Sequence, residues 1–340
     1  MSESAIVVDG LVKRFGEIVA LDGIDLQVAH GSVFGLLGPN GAGKTTAVRV
    51  LATILKPDGG RAEVLGCDVV ERPDAVRRRI GMAGQYAAVD ANLTGRENLR
   101  MVGVLSQLPR ADIAPRADEL LTRFGLQHAA GRPARTYSGG MRRRLDIAAA
   151  LVPRPPVLFL DEPTTGLDLT SRNELWDMLR ELVADGTTVL LTTQYLEDAD
   201  QLASRIAVVD GGKVIANDTP QRLKAQLGDT VVEMGFADET IAERATGLLT
   251  GGASSRARVE REGDLIRVSS DQGPHMLVDV LRRFDSEGIE PMTLAVREPS
   301  LDDVFLTLTG RHAESVTGDA DGNGDPSDPR PVSTSAGGAA

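Results

Sequence analysis

Gly38-Pro39-Asn40-Gly41-Ala42-Gly43-Lys44-Thr45-Thr46 is the stretch that decides the fold. From Gly38 to Thr45 it fits G-x-x-x-x-G-K-[ST], with the apolar run of "GSVFGLL" before it and "KTTAVRVLATIL", apolar at helical spacing, after it. Strand, glycine loop and helix in that order make a cradle for phosphate. The glycines let backbone N–H groups turn toward an anion, Lys44 reaches the terminal phosphates as a mobile charge, Thr45 offers a hydroxyl to Mg²⁺, and the helix contributes its positive end. All nine residues, Pro39, Asn40, Ala42 and Thr46 included, are therefore candidate nucleotide-binding positions. A glycine turn beside a buried lysine would share the composition but not the setting.

Farther along, "VLFLDE" ends a buried strand on two acids, Asp161 and Glu162, where an unpaired carboxylate is costly. Asp161 is placed to hold Mg²⁺, and Glu162 to polarise a water for in-line attack on a γ-phosphate. A solvated strand end would account for either acid alone. Gln85, closing "IGMAGQ", has an amide oxygen for Mg²⁺ or water, and without the other motifs reads more readily as an exposed polar loop position. Phe15 in "KRFG" precedes the loop; it reads either as a stacking face for adenine or as a core aromatic. In "YSGGMRRR", Ser138 and the amides of Gly139 and Gly140 open a helix and make a second anion site from a hydroxyl, bare backbone and a helix dipole.

Composition bounds what such a chain does. With 340 residues, 41% of them hydrophobic, there is room for two domains with real cores, and 3% aromatics means those cores are aliphatic. A formal charge of -12 argues against a sequence-independent nucleic-acid binder. One cysteine, Cys67, excludes an intrachain disulfide, and the start "MSESAIVVDG" has no secretory pattern, so a cytoplasmic chain is expected. No window approaches the roughly 18 to 20 apolar residues that span a bilayer. If membranes matter, another polypeptide crosses them.

The apolar pattern divides the chain. An α/β region, residues 1–228, is interrupted by a helical insert over about 93–152. Within it, "PPVLFLD" and "GTTVLLTT" flank the helix "SRNELWDMLRELVAD" as a βαβ unit of a parallel sheet, and Asp210-Gly211-Gly212 turns a hairpin. Residues 229–310 read βαββαβ plus a last helix, an α+β accessory domain of ferredoxin-like type. Residues 311–340 lack apolar side chains to bury and are expected to be a disordered tail.

Taken together, "GPNGAGKTT", Gln85, "YSGGMRRR", "VLFLDEP" and "GLD" resemble, in order and spacing, the nucleotide-binding subunit of ABC transporters, over about residues 5–225. The resemblance implies a P-loop NTPase fold with an antiparallel β arm and a helical subdomain, and hydrolysis of ATP with Mg²⁺. It implies that two copies stack head to tail around two ATP molecules, the signature Ser138-Gly139-Gly140 of each covering the nucleotide on the other's loop. Asp168, in "GLD", matches the loop that contacts the opposite subunit. It further implies a separate integral-membrane permease, touched near residues 85–100, and a peripheral place on the cytoplasmic face of the cell membrane; the acidic net charge leaves no nucleic acid expected as partner. One position departs from the pattern: Gln194, in "LLTTQYLEDAD", stands where most members carry a switch histidine. That glutamine and the ending "EPSLDDVFLTLTG" resemble a subgroup concerned with drug resistance, so drug export is the expected task. Soluble relatives in DNA repair or translation are the alternative, though their long coiled coils, zinc cysteines or paired cassettes are missing. A guanine-reading N-K-x-D is missing too.

Overall fold

The computed structural model describes residues 4–84, 89–226, 230–252, 258–270, 274–297 and 300–309. Gln85 and the tail expected at 311–340 lie outside the described residues. The chain runs β1 (Ser4–Phe15), β2 (Ile18–Ala29), β3 (Val33–Leu37), α1 (Lys44–Leu51), β4 (Gly59–Val64), β5 (Cys67–Asp68), α2 (Pro73–Arg77) and β6 (Ile80–Ala83). Three helices follow, α3 (Gly95–Leu105), α4 (Arg110–Arg123) and α5 (Gly139–Ala150), then β7 (Val157–Asp161), α6 (Leu169–Ala184), β8 (Thr188–Thr193), α7 (Leu196–Leu202), β9 (Arg205–Asp210), β10 (Lys213–Asp218) and α8 (Pro220–Gln226). The remainder is β11 (Thr230–Gly235), α9 (Glu239–Gly252), β12 (Arg258–Glu262), β13 (Leu265–Ser270), α10 (Pro274–Ser286), β14 (Thr293–Arg297) and α11 (Leu301–Thr309).

The central sheet has the order β10-β9-β3-β8-β7-β6 and is parallel except for the β9–β10 hairpin. Every residue of β3, β7 and β8 is buried, as continuous apolar runs predict for strands covered on both faces. The hairpin turns on Gly211 and Gly212 at φ 53° and 78°, the positive pair that a two-residue turn of the right twist requires. A second, antiparallel sheet, β2-β1-β4-β5, packs with α1 on one face of the central sheet, through a core that includes Ile6, Leu26, Phe34, Val48 and Phe159. Helices α3 to α6 cover the other face around Leu99, Phe124, Leu145, Leu160 and Leu179.

The helical insert begins on a full capping box. Thr94 Oγ1 accepts from the Glu97 N–H, and the Glu97 carboxylate accepts from the Thr94 N–H. The spacing predicts the next helix from Ala114, yet α4 starts at Arg110 with Pro115 inside it. Pro115 removes one helical N–H donor and crowds the carbonyl four residues back, yet the helix continues on both sides of it, so the boundary sits earlier than the proline suggests.

In the C-terminal segment the strand order is β12-β13-β11-β14, antiparallel throughout, the arrangement of a ferredoxin-like sandwich. Helices α9 and α10 pack on the sheet through Ala242, Ala245, Leu249, Val280 and Phe284, and the rings of Phe236 and Phe284 meet edge to face at 5.7 Å. The last helix leaves this layer. Leu301, Val304 and Phe305 of α11 are buried among Leu37, Leu196, Ala199, Ile206 and Leu223, within the first part of the chain.

Candidate nucleotide site

The loop after β3 is shaped by close approach. A Cβ on Gly38 would lie 2.2 Å from the Val209 carbonyl oxygen, and one on Gly43 would lie 2.4 Å from that of Ala20, so neither position tolerates a side chain. Gly43 also caps α1 at φ 109°, a conformation glycine adopts without strain. These contacts bring β2 and the β9–β10 turn against the loop, and Gly212 N–H donates to the Ala42 carbonyl at 3.1 Å. Lys44, buried at the first position of α1, donates to the carbonyls of Gly38 at 2.7 Å and Pro39 at 3.1 Å. A cavity of about 170 Å³ is lined by residues 40–46 of the loop together with Ala20 and Glu162.

Strand β7 ends on Asp161, and Glu162, the next residue, lines the cavity. The Thr45 hydroxyl donates to Asp161 Oδ1 at 3.0 Å, and the Thr192 hydroxyl donates to the same oxygen at 2.6 Å. Asp161 is buried, and those two hydroxyls satisfy its Oδ1 in place of water. Glu162 turns out of the strand at φ 47°, in the left-handed region that costs a non-glycine residue about 1–3 kcal/mol. The turn aims its Oε1 to within 3.7 Å of Lys44 Nζ, with both side chains largely buried.

Other expected residues are placed as follows. Gln194 is half-buried just past the end of β8. Phe15 ends β1, 46% exposed, with Lys13 Nζ 5.5 Å from its ring centroid; it is a surface aromatic and not a core one. Ser138 caps α5, its Oγ accepting from the Met141 N–H at 3.2 Å, while Ser138 and Gly139 are exposed and Gly140 is buried. None of the three lines the loop cavity. Asp168 caps α6 by accepting from the Ser171 N–H at 2.7 Å, a bond that lowers its pKa below the usual carboxylate value.

Three supporting residues were invisible to the motif reading. Thr192 holds Asp161 and also accepts the Glu162 N–H on its Oγ1 at 3.0 Å. Asp198, buried under the site, accepts from the hydroxyls of Thr164 and Thr193 and from Trp176 Nε1 at 3.0 Å; burial raises its pKa, with those three donors opposing. Arg143 of α5 reaches the backbone on either side of Glu162.

A strand–loop–helix phosphate cradle beside paired acids, with a helical insert whose last helix opens on Gly139 and Gly140 behind a serine cap, defines an ATP-hydrolysing cassette of the ABC type, and the chain belongs to the ATP-binding proteins of the ABC transporter family. That family's model matches residues 21–165. The daunorubicin resistance ATP-binding protein DrrA3 of Streptomyces coeruleorubidus is 52% identical over 91% of this chain and 97% of its own length. The daunorubicin/doxorubicin resistance ATP-binding protein DrrA of Streptomyces peucetius is 50% identical, over 91% and 94% respectively. A Nod factor export ATP-binding protein I of Ralstonia nicotianae is 40% identical over 89% of this chain. Among solved structures, cbiO1 of Clostridium perfringens, part of the ABC transporter complex cbiONQ, superposes with a TM-score of 0.62 at 29% identity, covering 66% of this chain and 92% of that one. An ATP-binding cassette in a dimeric post-hydrolysis state with ADP and Pi gives a TM-score of 0.58 at 26% identity, covering 63% and 98%.

Proposed function

We propose that this chain is the ATPase subunit of a drug exporter: two copies close around two ATP molecules and drive a separate integral-membrane permease from the cytoplasmic face of the cell membrane. One observation carries the dimer. Ser138 and Gly139, read as a second anion cradle, are exposed and share no wall with the cavity of the first. Beside it, Leu169 follows the exposed Asp168 with 64% of its surface open, an apolar residue suited to the seam. Drug export is supported by the names of the relatives at 47–52% identity. Among the described residues no helix is long and apolar enough to cross a membrane.

In this reading residues 38–46 hold the phosphates and Phe15 stacks on adenine. The donor set fits Mg²⁺: Thr45 and Asp161 offer oxygens 3.0 Å apart, and this ion takes one or two protein oxygens alongside substrate phosphates. Bound there, with Gln85 as the further ligand, it would neutralise phosphate charge. Glu162 then polarises the attacking water as general base, Gln194 donates to the γ-phosphate, and the partner copy's signature closes the site. We divide the chain into a cassette, 1–228, with its helical subdomain at 93–152, an accessory domain, 229–310, whose last helix docks on the cassette, and a tail, 311–340.

The test is transport. Cells carrying the chain and its membrane partner should accumulate less daunorubicin than cells carrying Glu162→Gln, whose ATP turnover falls by about 100-fold or more while the complex still co-purifies. Equal accumulation with an assembled complex would remove the drug from the reading.

A further inference from the structure

Arg143 lies on α5, the helix that Ser138 caps, and its side chain is only 10% exposed. Its guanidinium is shared among three elements. Nε donates to the Pro163 carbonyl at 3.0 Å, Nη2 to the Asp161 carbonyl at 3.0 Å, and Nη1 to the Gly84 carbonyl beyond β6 and to the Asp146 carboxylate at 3.3 Å. The first two carbonyls belong to the residues immediately before and after Glu162. That residue is held at a left-handed φ of 47°, a conformation that persists only where its surroundings over-determine it. From β8, Thr192 takes the Glu162 N–H. From α5, Arg143 takes the carbonyls on both sides. A flat, rigid fork matches several acceptors at once, whereas an ammonium on a flexible stem does not.

We propose that Arg143 is a positioning residue for Glu162: it fixes the backbone that aims the carboxylate and ties that aim to the seat of the signature helix. The proposal rests on Glu162 being the general base. Asp146 is its built-in control, because its carboxylate pairs with Nη1 of the same guanidinium, whereas the carbonyls flanking Glu162 take Nε and Nη2.

The experiment compares full-length wild type, Arg143→Lys, Asp146→Asn and Glu162→Gln for steady-state ATP hydrolysis, ATP binding and thermal melting. Arg143→Lys keeps a charge for Asp146 but loses the fork, so kcat should fall by about tenfold with KM and ATP affinity within about threefold, the mark of an interaction that serves the transition state alone. Asp146→Asn should stay within about twofold of wild type in kcat. The proposal is overturned if Arg143→Lys turns over ATP within twofold of wild type, if its ATP affinity falls as far as its kcat, or if Asp146→Asn loses as much activity. Should Arg143→Lys fail to fold, Arg143→Gln is judged by the same criteria, and the Asp146→Asn arm still decides between clamp and ion pair. Glu162→Gln separates the two failures: retained turnover there sinks the base assignment, whereas its loss beside an active Arg143→Lys sinks only the clamp.

Discussion

At position 194 the carboxamide can donate a hydrogen bond to a phosphate oxygen and cannot become charged near neutral pH. The wild-type pH–rate profile should therefore carry no step from this residue. Gln194→His should introduce one near the histidine range, about pH 6–7, shifted by how far the half-buried site desolvates the imidazole. Steady-state hydrolysis of both proteins between pH 5.5 and 8.5 checks this, and an identical imidazole-like step in both would contradict it. The phosphate loop and the two acids were legible in sequence because each is a contiguous motif whose chemistry depends on neighbours in the chain. Thr192, Asp198 and Arg143 were not, since each works on partners distant in sequence: Thr192 on Asp161 across 31 positions, Asp198 on Thr164 across 34, and Arg143 on Gly84 across 59. The register of β7 against β8 sets Asp161 opposite Thr192, and the packing of α7 and α5 brings in Asp198 and Arg143.

Among elements, α11 shows where periodicity stops informing. Leu301, Val304 and Phe305 fall at i, i+3 and i+4, which predicts a helix with one buried stripe but not what buries it. The stripe meets α7, α8 and Leu37, the residue that precedes the phosphate loop. By contrast the βαββαβ succession was readable, because each of its strands and helices carries its own period and its layer closes on itself. Phe305→Ala should cost about 3–5 kcal/mol, the range for emptying a fully packed aromatic site. Urea unfolding measures the loss, and amide exchange locates it: protection should drop over 196–202 and 220–226. A drop confined to β11–β14, or a loss below about 1 kcal/mol, would mean that the helix contributes nothing to the cassette.

For the whole molecule the question is whether one chain or two build the catalytic centre, and a mixing experiment answers it. Gly139 is the position to alter, because a Cβ there meets nothing within 4 Å and its φ is not positive, whereas one on Gly140 would lie 2.7 Å from Ser171 Oγ. Gly139→Asp should thus fold normally while setting a carboxylate where a γ-phosphate is to be covered. Alone it should be nearly inert, as should Glu162→Gln. If the signature of one copy completes the cradle of another, a mixed dimer has one site with both defects and one with neither. Random pairing at equal amounts makes half the dimers mixed, and half the sites in those are intact, so the mixture should recover about a quarter of wild-type turnover. A signature acting on its own chain's nucleotide predicts no recovery at any ratio, since each chain then carries its own lesion. The net charge of -12 on each copy, with nucleotide added, opposes closure at low ionic strength, so the assay belongs near physiological salt where the repulsion is screened within about 8 Å. Recovery that vanishes on dilution, alongside wild-type activity that falls with it, would place the reaction at the seam between two copies.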